Sequence, residues 1–162
     1  MAARVSIRGA SELAAAFREL GRNPTAAARR KSRQAAGKVV SEAAQANLIG
    51  NDSVVTGALV QSMGVAEDQQ KPNRTLVGPR AGKFKKMRPS SYAHFVEFGT
   101  APHWQPNRFG GTMHPGARPK PFLRPAYEQN IEKLAQAYFA QMKAEIEAAA
   151  QRIAAKTPRG PR

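Results

Sequence analysis

The chain has 162 residues, of which 26 are Lys or Arg and 11 are Asp or Glu, giving a formal net charge of +15. Its hydrophobic fraction of 41% is mostly small: 30 Ala stand against 28 Val, Ile, Leu and Phe together, so a large self-sufficient core is excluded and a charge-compensating partner is expected. The absence of Cys excludes disulfides, thiolate nucleophiles and Cys-ligated metal centres, and no stretch approaches the roughly 20 apolar residues of a membrane span, so a soluble protein with no membrane association and no export signal is expected.

Val5 and Ile7 alternate with Arg4, Ser6 and Arg8 before Gly9-Ala10, which predicts a short strand. Ser11 as N-cap, Leu13, Phe17 and Leu20 at helical spacing and Gly21 as terminator predict a helix over 11–20. Asn23-Pro24 opens a longer helix over 25–49, with Gly37 as its weak point. Its first half carries Arg29, Arg30, Lys31, Arg33 and Lys38, while Val40, Ala44 and Leu48 recur every four residues and face a core. The β-branched residues from Val54 to Val65 and from Arg74 to Gly78, around the turn Lys71-Pro72-Asn73, predict two or three antiparallel strands.

Pro79 to Ser91 holds Arg80, Lys83, Lys85, Lys86 and Arg88 and reads as a mobile basic loop. Tyr92 to Phe98 is apolar but too short to assign by period; Tyr92, Phe95 and Phe98 are expected to pack inward. Residues 99 to 121, with five Pro and four Gly, read as a long irregular loop. From Pro125 to Lys156, Ile131, Leu134, Tyr138, Met142, Ile146, Ala149 and Ile153 follow the strongest helical period in the chain, long enough for part of the helix to project toward a neighbour. The sum is one α+β domain over 1–156, a small antiparallel sheet packed against helices, with a long C-terminal helix, long basic loops at 79–91 and 99–121, and a basic tail at 157–162.

From Gln69 to Tyr127 there are eleven Lys and Arg and one acid, Glu97. That field suits nucleic acid phosphates, an acidic partner ring, or simply a solvated loop. No zinc finger, RNP-like run or helix-turn-helix spacing accompanies it, so sequence-specific reading of DNA is not expected. His94 and Glu97 share a helical face with His103 and His114 nearby, but a metal site in a Pro- and Gly-rich loop lacks a rigid second shell, and packing histidines are the preferred reading. No phosphate loop, nucleophile elbow or HExxH is present, so neither catalysis, nor a metal, nor a cofactor is expected.

Three motifs stand in order: Thr56-Gly-Ala-Leu-Val-Gln-Ser-Met63, Tyr92-Ala-His-Phe-Val-Glu-Phe-Gly-Thr100, and His114-Pro-Gly-Ala-Arg-Pro-Lys-Pro-Phe-Leu-Arg-Pro-Ala126 before the long amphipathic helix. Together they resemble the tail-completion and head-tail joining proteins of long-tailed bacteriophages, over about residues 25 to 155. The resemblance implies a structural, non-catalytic virion protein of the neck, made in the bacterial host cytoplasm. It further implies a homo-oligomeric, hexameric ring that completes the tail as a completion or terminator piece and contacts the connector, the tail terminator, the tail tube and, non-specifically, DNA in the lumen. The alternative is a non-sequence-specific nucleic-acid-binding or packaging-associated basic protein.

Residue roles follow from the physics. Gly57 and Gly99 suit positive φ or close chain approach, and Pro119, Pro121 and Pro125 stiffen the entry to the last helix. Phe122 and Leu123, rimmed by Arg118, Lys120 and Arg124, are interface anchors or else plugs of the domain's own core. Glu97, a lone acid among bases, is expected to pair with Arg118 or Arg124.

Overall fold

A computed structural model of the chain describes residues 26–51, 56–84, 86–106 and 111–156, the side chains of the last five excepted. The strand expected at 4–8, the helix at 11–20 and the tail at 157–162 lie outside the described residues. The described architecture is α+β: five helices, two small antiparallel hairpins and a short 3-10 turn.

Helix α1 spans Ala26–Gly50, as its spacing predicts. The segment from Ala58 to Ser62 is a short helix, α2, rather than a strand. Thr56 Oγ1 accepts the Ala58 N–H, and Gly57, at φ 74°, sets the entry angle. β1 (Met63–Glu67) then pairs antiparallel with β2 (Thr75–Pro79), with Val65 opposite Val77. The turn between them is closed by Asp68, whose Oδ1 accepts the Gln70 and Lys71 amides while Oδ2 takes the Arg74 guanidinium at 2.7 Å.

Gly37 explains how this hairpin reaches α1. A Cβ there would stand 2.8 Å from Val65 Cγ1 and 3.3 Å from Val77 Cγ2, so the glycine in mid-helix, a cost of about 0.5–1 kcal/mol, opens the room into which the two valines pack.

Pro79 to Ser91 is not the loose loop its composition implies. Phe84 and Met87 exchange both backbone hydrogen bonds, Lys86 takes φ 64° inside that reverse turn, and a 3-10 turn follows at Pro89–Ser91 with Pro89 buried. Tight backbone pairing and a proline anchor order a segment that has few apolar side chains.

Helix α3 (Ala93–Phe98) precedes Gly99, and the region read as irregular contains a second hairpin, β3 (His103–Gln105) with β4 (Thr112–His114), rooted by the Thr100–Ala117 bridge. The last helix is two: α4 (Leu123–Glu128) and α5 (Ile131–Lys156), the latter about 39 Å long. Asn130 makes the break, its side chain turning back to the Ala126 carbonyl while its own carbonyl starts α5 by accepting the Leu134 N–H.

The main packing is α1 against α5, running antiparallel. The core is divided. One cluster gathers Val40, Ala44, Leu48, Leu59, Met63, Ala93, Phe122 and Ala126; the other joins Ala28 to Met142 and Ile146, flanked by Tyr138 and Phe139. The basic half of α1 is therefore packed as well, with Lys31 meeting the Glu145 carboxylate at 2.9 Å. Among the described residues no helix is long and apolar enough to cross a membrane.

Candidate interaction site

Two of the sequence motifs, separated by more than a dozen residues, are brought together at the end of α3. Glu97 is buried, 7% exposed, and its carboxylate does not pair with Arg118 or Arg124 as its charge surroundings imply. Instead Oε2 accepts the backbone N–H groups of Phe122 at 2.8 Å and Leu123 at 2.9 Å, and Oε1 accepts that of Arg124 at 3.1 Å. These are the first amides of α4, which have no partner inside the helix and carry its positive dipole end. A carboxylate borrowed from another helix thus serves as the cap.

The surrounding backbone completes the clasp. Lys120 N–H donates to the Val96 carbonyl at 2.8 Å, Asn47 on α1 donates to the Phe122 carbonyl at 3.0 Å, and Thr100 and Ala117 exchange hydrogen bonds. Gly99, at φ 74°, permits the approach: a Cβ there would lie 2.5 Å from the Ala117 carbonyl oxygen. The sequence-based expectation for Gly57 and Gly99 is met.

Phe122 is fully buried in the chain's own core, so of its two readings the plug is the one observed, and it is not available as a surface anchor. Leu123 is half-buried against the same cluster, whereas Arg118, Lys120 and Arg124 are exposed. Tyr92 packs on the core, and burial pushes its hydroxyl pKa up from 10.0. Phe95 and Phe98 do not pack inward; they are 49% and 67% exposed. The reason lies in the rotation of α3: Ala93, Val96 and Glu97 face the core to reach α4, which turns Phe95 and Phe98 outward.

Phe98 consequently forms a ridge between two open hollows of about 320 and 420 Å³. The first is lined by Ser90, Ala93, His94 and Leu123 among others, the second by Pro119, Pro121, Pro125 and Glu128, and Arg124 borders both. Its makeup is that of a docking surface, an apolar centre with a polar rim.

The histidines do not converge. His103 and His114 stack across the β3–β4 hairpin with ring centres 5.0 Å apart, His103 Nδ1 bonded to the Ala101 carbonyl and His114 Nδ1 accepting the Gly116 N–H, while His94 lies against Phe95. No cluster of three metal-ligating side chains occurs among the described residues. Arg80, Lys83, Lys86 and Arg88 are all exposed along the reverse turn, Arg80 over the Phe84 ring, and Lys85 lies outside the described residues.

A family model described as "Bacteriophage HK97-gp10, putative tail-component" matches residues 11–99, more than half of the chain. The match takes in α1, the first hairpin, the basic turn and α3 up to Gly99. No curated protein and no solved structure matches the chain.

Proposed function

This chain belongs to the HK97-gp10-like family of phage tail-associated structural components, and from that premise we propose that it acts in the neck of the virion, where a ring of its copies completes the tail and joins it to the head. The observation that carries the reading is the family match itself, ending at Gly99 where the Glu97 clasp ties the matched region to the Pro-rich entry of α4. A core split into two small clusters, an exposed apolar ridge at Phe98 and a net charge of +15 support it, since a ring subunit leaves part of its burial to neighbours. The ring is hexameric, its neighbours are the connector, the tail terminator and the tail tube, and the protein has no catalytic role.

The test is genetic and structural. Phage made without this protein should accumulate filled heads and separate tails, purified protein should restore titre, and electron microscopy should place its density at the junction. Normal joined particles in its absence would remove the neck assignment.

One observation favours an accessory contact with DNA: the exposed cations Arg80, Lys83, Lys86 and Arg88 on a backbone-paired turn. In a ring they would line the lumen.

A further inference from the structure

We propose that the β3–β4 hairpin is an intersubunit arm that seats Trp104 and Met113 of one copy against the Phe98 surface of the next. The inference rests on the ring reading above and names the contact that builds the ring.

The hairpin is unusual in three respects. Trp104 and Met113 are directly opposed in its register, so they share one face, and they are 60% and 65% exposed. The strands' main packing is against each other, and a two-stranded hairpin by itself is marginal in water. The arm is nonetheless pre-shaped: it is rooted by the Thr100–Ala117 bridge, its other face is held by the stacked His103 and His114, and Gly111 at φ 91° lets the indole lie so close that a Cβ there would stand 2.5 Å from it.

Charge selects the occupant. From Gly99 to Ala117 the sequence has one charged residue, Arg108, in a chain that is 23% charged. A surface built for DNA or for an acidic protein would carry the cations that abound elsewhere. A surface that must approach another copy bearing +15 is best left low in charge, and the opposed pair Trp104 and Met113 carries none.

The same chain supplies the complement beside the root of the arm, where Phe98 and Pro119 flank the Thr100–Ala117 bridge. The second hollow beside Phe98 is walled by Pro119, Pro121 and Pro125, and exposed Arg124 borders both, which suits an aromatic side chain by apolar contact and by the attraction of a guanidinium for an indole face. An arm and a receptor that are unlike surfaces meet head to tail between copies, a contact which closes into a ring when the rotation permits.

Trp104 is the chain's only Trp and the chain has no Cys, so both give background-free probes. With increasing concentration of the full chain, Trp104 emission should shift to the blue and lose iodide quenching in step with the sedimentation coefficient. Trp104→Ala and Phe98→Ala should each weaken self-association at least about 30-fold while leaving helix content and melting unchanged, and an equimolar mixture of the two should form heterodimers from the one intact arm and the one intact receptor. In assembled tails, a Met113→Cys/Pro121→Cys chain should oxidise to a ladder of covalent multimers. Rings that form with Trp104 still exposed, no heterodimer on mixing, or no ladder from joined particles would overturn the arm while leaving the ring. If the chain forms no ring either in solution or in the particle, the ring reading falls and the arm falls with it.

Discussion

Replacing Glu97 by alanine withdraws the acceptor from three amides at once, those of Phe122, Leu123 and Arg124. An unsatisfied buried donor costs about 1–3 kcal/mol. The Phe122 amide is buried and bears the full penalty, whereas those of Leu123 and Arg124 are partly buried and can recruit water. The expected loss is therefore about 3–4 kcal/mol for Glu97→Ala, or roughly 6–16 °C in Tm for a chain of this size. Glu97→Gln retains one acceptor oxygen without its charge and should fall between, at about 1.5–2 kcal/mol. Urea unfolding followed by circular dichroism would rank the three proteins. The reasoning is refuted if both variants lie within about 0.5 kcal/mol of the parent, the scatter expected of a surface substitution.

Glu97→Lys should impair particle assembly far more than Glu67→Lys, because Glu97 holds three backbone amides whereas among the described residues Glu67 meets a half-exposed Arg30 at 3.9 Å; equal titres would contradict the clasp. Gly99→Ala combines φ 74° with a collision against the Ala117 carbonyl and should cost about 2 kcal/mol or more in a thermal melt, where an unchanged Tm would count against the close approach. Phe122→Ala should destabilise the isolated chain by about 3–5 kcal/mol, and a melt unaltered by it would return Phe122 to the surface. The Asp68 carboxyl is held below its usual 3.8, first by the Gln70 amide and also by Arg74, against the opposing pull of desolvation. Its contribution is complete above 3.8 and lost as pH falls through the lower folded value, so Asp68→Asn should flatten that acid dependence of the β1–β2 turn in amide exchange, and identical acid profiles would exclude it.

Long periodic segments were legible. The four-residue spacing of Val40, Ala44 and Leu48 placed α1, and Leu134, Met142 and Ile146 placed α5, because helix burial repeats locally. The β1–β2 hairpin was legible from its turn chemistry. What escaped was decided by contacts distant in sequence. Phe95 and Phe98 read as core by composition, and only the tie from Glu97 to amides 25–27 residues later turns them outward. The pairing of Phe84 with Met87, and of His103 with His114, left no hydrophobic alternation to find, since both are backbone ladders whose side chains are exposed or half-buried. Backbone donors are also invisible in a sequence, which is why Glu97 read as an ion-pair partner.

The segregation of charge leads to a last prediction. A chain of +15 meets another copy most readily through a surface low in charge, and the Trp104–Met113 face of the arm meets that condition while Arg80, Lys83, Lys86 and Arg88 stay exposed to solvent. The two contacts should then respond to salt with opposite sign. Residual repulsion between copies is screened as the Debye length shrinks from about 10 Å at 0.1 M to about 3 Å at 1 M, so ring formation should hold or strengthen. Binding of duplex DNA through four cations should instead fall with a log–log slope near −3.6, on the order of 100-fold between 50 and 200 mM salt. Sedimentation and fluorescence anisotropy on the same samples would compare them, and parallel losses of ring and DNA would mean that the ring contact is itself ionic and the arm is not its centre.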